Sequence, residues 1–358
     1  MNQRILYVGD DSPASTSRHR ADALRRLGHE VTHINPYRDL RKHLTGWRII
    51  VHYRTGYLFM QGAVQRWQQA QQAQQARLAP TGRFDVCWVD GGELLGRQVT
   101  DGFRQMAGKL VLFNHDDPTG HRDGNRFLTM LRTIPRYDLC VVVRPFNVDE
   151  YRQRGARDVL RVFMSYDEVR HAAPPDDGSV PPQFDTDIAF IGRNIPGEGR
   201  DVFLHELVKA GLKPAIWGDN WQASPVWAAL QPFWKGPSIS GTDYVNAMRH
   251  ARICLGMLSK GNRDEHTTRS MEIPYAGGLL CAERTNEHMA LYREGEEAVF
   301  WRDAAECADV CRALLADPAR IARIKAAGHQ RVRANQVGAE DVGRAALQRL
   351  LADGKALT

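Results

Sequence analysis

The sequence is first defined by what it does not contain. No apolar run approaches the ~20 residues that a helical membrane span requires. The first strand-like run, RILYVGD at 4–10, is not followed by GxGxxG, which argues against a dinucleotide cofactor. No GxxxxGKS or GxxxxGKT occurs, which argues against P-loop nucleotide hydrolysis. None of the six cysteines forms a CxxC pair, and no signal peptide is read at the start. Most cysteines sit in apolar runs such as DLCVVV and RICLGML. They read as small buried hydrophobes in a cytoplasmic, reducing setting rather than as disulfides. The formal charge of +6 is modest and carried mainly by arginine. Its positive residues read as scattered, so no nucleic-acid stripe is expected. The balance suits a phosphorylated small molecule or an anionic membrane surface, with peripheral contact at the inner membrane face as one localisation, although no amphipathic anchor is evident.

What is present is a regular alternation. A chain of 358 residues exceeds the roughly 250–300 that one core serves, so two domains are expected. Near-continuous apolar runs (RILYV, VTHIN, FDVCWVD, KLVLFNH, YDLCVVV) alternate with helical patterns near 18–28, 96–107, 124–133 and 147–154. That pattern predicts a parallel sheet covered on both faces. The Gln- and Ala-rich stretch QRWQQAQQAQQARLAP reads as a helix with a solvated polar face. The segment HAAPPDDGSVPPQFD cannot continue a helix or a central strand and reads as a linker. A second series follows: TDIAFIG, KPAIWG, RICLGML and GLLCAE as strands, with helices between and after them. The expected fold class is therefore α/β, with two Rossmann-like parallel-sheet domains facing across a cleft. The boundaries are 1–170 on the acceptor side, 171–185 as linker, 186–335 for the second domain, and 336–358 as a C-terminal helix that can pack back on the first.

Ligands of open α/β sheets bind beyond the carboxyl ends of the strands. EHTTRSMEIPYAGG, residues 265–278, lies there and opens a helix. A helix N-terminus favours phosphate, and Arg269 can add a charge-assisted contact. Glu272, one turn on, can accept from a vicinal diol. Pro274 is expected to kink or shorten the helix, and Gly277 or Gly278 to end it. A surface helix with solvated charges is the alternative.

Residues 185–335 resemble the C-terminal half of the CgeB-like (spore maturation protein) glycosyltransferases, group 1 transferases of GT-B architecture. The likeness rests on Arg269, Glu272-Ile273-Pro274, Gly277-Gly278, Glu283-Arg284, Glu287, EGEEAVFW, DIAFIGRN, GDNW and GTDYVNAMRHARICLGM. SRHRADALRRLGHEV and FNHDDP extend it more loosely into the first half. The resemblance implies a hexosyltransferase-type enzyme using a UDP-, GDP- or dTDP-linked sugar as donor substrate, with no cofactor and no metal. It implies that Glu272 holds the ribose hydroxyls, and that Arg269 with nearby amides such as that of Thr268 faces the diphosphate. Gly192 and Asn194 would line the opposite wall, with Lys260 or Arg193 adding charge. Many retaining members carry a Glu-x7-Glu pair. Here Glu265 and Glu272 are separated by six residues, so Glu265 is an imperfect counterpart.

Two further clusters are candidates. In FNHDDPTGHRDGNRF, residues His115, Asp116 and Asp117 follow a strand, and Asp116 is the choice for a base acting on an acceptor hydroxyl. A simple turn is an equal reading. A divalent cation on His115, Asp116, Asp117, His121 and Asp123 is a third, without a recognised spacing. In GDDSPASTSRHR, Ser17 and Arg18 are candidates for an acceptor or anion loop, against an N-capped helix start. The function expected is transfer of a sugar to a glycan, lipid-linked or protein acceptor. A nucleotide-sugar epimerase and a non-catalytic coat protein on the same fold are the alternatives.

Overall fold

The computed structural model describes residues 2–78, 82–120, 122–175 and 178–352. The chain divides into two compact units, Met1–Phe163 with Ala339–Thr358, and Met164–Gly338. The first unit contains β1 (Arg4–Val8), α1 (Thr16–Arg26), β2 (Glu30–Ile34), α2 (Pro36–Asp39), α3 (Trp47–Arg54), α4 (Gln61–Leu78), β3 (Phe84–Asp90), α5 (Arg97–Met106), β4 (Ala107–Asn114), α6 (Leu128–Leu131), β5 (Leu139–Val142), α7 (Pro145–Gln153) and β6 (Val159–Arg161). Its sheet is parallel, in the order β2-β1-β3-β4-β5-β6. The second unit contains β7 (Ile188–Ile191), α8 (Arg200–Lys209), β8 (Pro214–Trp217), α9 (Trp227–Leu230), β9 (Trp234–Gly236), α10 (Gly241–His250), β10 (Ile253–Gly256), α11 (Thr268–Tyr275), β11 (Leu280–Glu283), α12 (Asn286–Leu291), β12 (Val299–Trp301), α13 (Ala304–Leu315) and α14 (Pro318–Ala334). Its sheet is also parallel, in the order β12-β11-β10-β7-β8-β9.

The apolar runs become strands because helices cover both sheet faces, leaving no polar side for alternation. Ile5, Leu6, Tyr7 and Val8 of β1, and Leu139, Cys140, Val141 and Val142 of β5, are all essentially inaccessible. All six cysteines are buried free thiols. Cys281 of β11 meets Cys307 and Cys311 of α13, where the three sulfurs lie within 4.8 Å of one another. The last helix, α15 (Ala339–Ala352), belongs to the first unit. It lies on α1, where Arg26 Nε donates to Glu340 at 2.6 Å and Gly343 gives room to Leu24. Its far end is pinned by Arg349 to Asp158 at 2.7 and 3.0 Å. Residues 176 and 177 of the linker expectation and 353–358 of the C-terminal helix lie outside the described residues.

One local expectation is corrected. The helix expected over 124–133 is mostly turn, with only Leu128–Leu131 helical. Gly124 sits at φ 54 and Arg126 is drawn out of the pattern into an ion pair with Glu93. Helix α3 buries none of its residues, and Trp47 remains 71% exposed.

The carboxyl end of β7 is locked to that of β8 through GDNW. Gly192 N–H donates to Trp217 O at 2.9 Å, and Trp221 Nε1 donates to Gly192 O at 3.0 Å. Trp234 Nε1 closes the next layer by donating to Gly218 O at 3.0 Å. Gly218 has φ +146, and a Cβ there would stand 2.1 Å from Gly192 O. Gly218→Ala should therefore cost about 2–3 kcal/mol through strain and backbone displacement. Urea unfolding checks this; a loss below ~0.5 kcal/mol would contradict the close approach.

Candidate functional site

In the second unit the chain starts at β7 in mid-sheet, steps outward through β8 and β9, and returns to β10 on the other side of β7. Connections leaving β7 and β10 diverge, and a crevice opens at the carboxyl edge between them. A cavity of about 320 Å³ lies there, walled by Gly192, Arg193, Arg200, Trp217, Thr268 and Arg269 among others. A neighbouring cavity of about 300 Å³ shares Arg200 and Met257 and adds Lys260, Glu198 and Glu283.

The start of α11 is built to hold its first turn on that wall. Thr267 is the N-cap, in a reciprocal box with Ser270: its side chain takes the Ser270 N–H, and Ser270 Oγ accepts from Thr267 N–H at 3.0 Å. The buried His288 ring stands 2.7 Å from Ser270 Oγ and 2.6 Å from Glu283 O. A carbonyl only accepts, so Nδ1 carries the proton and Nε2 accepts from the Ser270 hydroxyl. Burial pulls the His288 pKa down to about 4, keeping the ring neutral. One residue before the cap, His266 Nε2 accepts from Met164 N–H at 2.9 Å, which leaves Nδ1–H to donate to Glu287 at 2.5 Å. Pro274 does not end the helix. The carbonyl that its missing N–H would have bonded, Ser270 O, accepts from the buried Tyr292 hydroxyl at 2.7 Å.

Arg269 and Glu272 are brought together. Arg269 Nη1 lies 3.3 Å from Glu272 Oε2, Tyr244 Oη donates to the same oxygen at 2.5 Å, and His171 Nε2 stands 3.6 Å from Oε1. The guanidinium lies 5.0 Å from the Tyr244 ring centroid. Burial alone would lower the Arg269 pKa, but Tyr244 and Glu272 hold it above its ordinary value. Glu272 itself is 3% exposed, behind Arg269 rather than on the cavity wall.

The other donor-side candidates separate. Arg193 is exposed at the cavity rim, and Asn194 is buried with its N–H on Asp219 O at 2.9 Å. Lys260 lines the neighbouring cavity, 3.9 Å from Glu283. The Glu265 carbonyl accepts from Thr285 Oγ1 at 2.6 Å, and its side chain is half-buried. Gly277 and Gly278 lie at the far end of α11 and do not line the cavity. Gly277 turns the chain at φ 83, and a Cβ on Gly278 would stand 2.6 Å from Met248 O. Asp264, which sequence reasoning passed over, is the residue with seven positions between itself and Glu272.

In the first unit the carboxyl ends of β1, β3 and β4 carry a charged cluster. Asp90 is buried and bidentate to Arg20 at 2.6 and 2.9 Å, which holds its carboxyl below the usual range despite burial. Asp116 stands 3.7 Å from Arg126 and 4.0 Å from His115 Nε2. Burial pushes the His115 pKa down against the pull of Asp116, and His115 Nδ1 has no hydrogen-bond partner among the described residues. Asp117 is spent on the turn, accepting from Asn147 at 3.0 Å and Gly120 N–H at 3.2 Å. Glu93 was missed. It pairs with Arg126, and burial nevertheless pushes its carboxyl up. Its signal was position: it follows β3 directly after Gly91-Gly92. Among the described residues, the only trio of His, Cys, Asp or Glu donors close enough to hold one ion is the cysteine trio, and His121 lies outside them. Ser17 is buried against Gly9, and Arg18 Nη1 donates to Asp11 O at 3.2 Å, with Ser15 as the cap of α1.

Residues 200–352 match the family model described as Glycosyl transferase-like. A search of curated proteins finds no match. Among solved structures, sucrose-phosphate synthase from Thermosynechococcus elongatus aligns with a TM-score of 0.70 at 14% identity, over 99% of this chain and 100% of that one. The α,α-trehalose 6-phosphate synthase from Burkholderia multivorans aligns at 0.67 and 13%, over the whole of both chains. Anabaena HepE in complex with UDP-glucose aligns at 0.66 and 12%, over 98% of this chain and 100% of that one. The chain has the GT-B glycosyltransferase fold. The crevice between β7 and β10 is thus the switch point of the second GT-B domain, and no helix of the described residues is long and apolar enough to cross a membrane.

The His288 arrangement makes a pH prediction. The ring's pKa is depressed on folding, so its stabilising contribution is complete above the unfolded value of ~6.5 and is lost as pH falls toward about 4. The full loss is about 3 kcal/mol. Urea midpoints should fall between pH 7 and pH 5 more steeply for the wild type than for His288→Asn, which keeps the donor to Glu283 O. Parallel pH dependence in the two proteins would contradict the buried neutral ring.

Proposed function

We propose that this chain is a glycosyltransferase of the CgeB-like group, moving a sugar from a nucleoside-diphosphate donor to a glycan, lipid-linked or protein acceptor. One observation carries the reading: a cavity walled by three arginines and the capped first turn of α11, at the switch point of the sheet. Breaking the sugar–oxygen bond leaves negative charge on the departing diphosphate. Fixed dipoles and a guanidinium held in place beforehand stabilise that charge without reorganising. In this reading Arg269 faces the diphosphate, Thr268 contributes its first-turn amide, and Arg193 and Lys260 add charge from the rim. Glu272, buried behind Arg269, aims the guanidinium at the cavity. Asp264, by its spacing, takes the place that Glu265 does not fill. Uridine diphosphate is the first donor fragment to test, since a similarly folded protein was solved with UDP-glucose.

On the acceptor side the reading keeps Asp116 as base and gives Glu93 a part. Burial pushes the Glu93 carboxyl above its ordinary value, towards the proton-holding form, and it shares Arg126 with Asp116. Asp117 serves the turn. His115 presents a partly exposed imidazole beside Asp116.

Two outcomes are expected. Arg269→Ala should weaken UDP binding by about 30- to 100-fold, the loss of a charged hydrogen-bond partner. It should also lower turnover on the order of 10²–10³. Calorimetry with UDP checks the first, and unchanged affinity would remove Arg269 from the donor site. Asp116→Asn and Glu93→Gln should leave UDP affinity intact while lowering transfer by about 10²–10⁴. Full transfer by both would return the first-unit cluster to a structural role.

A further inference from the structure

We infer that the first unit docks on an anionic lipid surface through α3 and the turn after it. The charge of the chain is not evenly spread. Between Leu40 and Phe84 there is no aspartate or glutamate, while Arg41, Lys42, Arg48, Arg54, Arg66, Arg77 and Arg83 are basic. This stretch therefore carries +7, and the rest of the chain, at +6 less +7, sums to −1. Among the described residues, the same stretch holds half of the large hydrophobic side chains that stay exposed, six of twelve: Trp47, Ile49, Ile50, Val51, Leu58 and Phe59.

The helix geometry sorts these residues. Trp47, Ile50 and Val51 follow i, i+3, i+4 spacing and share the outer face. Phe59, at 77% exposed, extends the apolar surface past the end of the helix. Arg48 is exposed at its flank and Arg54 ends the same outer face, where long stems let the charged heads reach phosphate while the apolar side chains sink among acyl chains. The opposite face is tied down. His52 stacks on Tyr57 at 6.5 Å, Tyr53 Oη donates to Asp123 at 2.6 Å, and Arg126 lies 5.5 Å from the Tyr53 ring centroid. Gly56 is required there, since a Cβ would stand 2.5 Å from Asn125 O. So α3 is a seated helix presenting an uncovered apolar stripe within a stretch of chain that carries basic and no acidic residues. A soluble partner of unspecified charge does not call for that combination, but an anionic bilayer surface does. The seat is the Asp123–Arg126 corner of the Glu93–Asp116 cluster, which would bring a lipid-linked acceptor to that cluster. Docking itself stands without the glycosyltransferase reading.

The test is co-sedimentation of the full chain with vesicles of phosphatidylcholine alone and of phosphatidylcholine mixed equally with phosphatidylglycerol. Binding is expected only to the mixed vesicles, and it should weaken as salt rises, because surface charge is screened within a Debye length. Arg48→Glu should weaken it at least fivefold, the effect of about one surface charge. Trp47→Ser with Phe59→Ser should abolish it, with the melting temperature unchanged. The UDP response of all these variants should be that of the wild type, so failure of docking and failure of the donor assignment read out separately. The inference is overturned if the wild type does not sediment with the mixed vesicles, or if the double variant sediments equally well. It is also overturned if light scattering shows a dimer that the double variant abolishes, which would assign the face to a second copy of the chain.

Discussion

The second unit is organised around holding one guanidinium still at the edge of a cavity. A charge placed there loses hydration, so it persists only if the protein supplies partners. Glu272 from the same helix and Tyr244 from α10 supply them, and between them they outweigh the effect of burial on Arg269. That arrangement requires α11 to start at one particular residue. The Thr267–Ser270 box sets the start, the neutral His288 ring fixes the Ser270 hydroxyl, and the His266–Glu287 pair holds the approach. Pro274 in the same short helix would leave a carbonyl orphaned, and Tyr292 takes it. The outside partners come from α10 and from α12 with its C-cap, which is why a helix of eight residues keeps a defined place.

The first unit solves a related problem with the opposite emphasis. Asp90 and Glu93, buried at the carboxyl end of β3 and just after it, are each met by an arginine. Arg20 satisfies Asp90 fully, with two short bonds and a position 4.3 Å from the Phe113 ring centroid, and that pair reads as structure. Arg126 is instead divided among Glu93, Asp116 and Asp123. One cation shared by three carboxylates leaves Glu93 underneutralised in a dry site, and its affinity for a proton rises accordingly. The difference between a settled pair and a shared cation separates the structural charges from the candidate chemical ones.

Net charge also acquires meaning only by location. A modest overall excess looks diffuse when counted along 358 residues, yet all of it sits in one acid-free stretch. That stretch folds into α3, α4 and their connections, where six large apolar side chains remain exposed. The remainder of the molecule is close to neutral, which fits a protein whose arginines elsewhere are mostly paired with carboxylates.

The sequence by itself determined the α/β class. Continuous apolar runs of four to eight residues, separated by amphipathic segments, leave a parallel sheet with covered faces as the stable arrangement. It also marked the strand end before α11, so Arg269 could be named at the edge of a crevice from position, whereas Gly192, Arg193 and Thr268 were named through the resemblance. Residues 124–133 show the limit: a helical pattern gave way once Arg126 found Glu93, thirty-three positions away. Only the tertiary structure decided that Glu272 lies behind Arg269 rather than on the wall, that Gly277 and Gly278 serve the turn into β11, and that Glu93 belongs with Asp116. It also decided that Trp47 faces outward. Local periodicity reports how a segment is buried. Which charge meets which, and which apolar face stays uncovered, depends on contacts between segments far apart in the chain, and those exist only after the sheets have assembled.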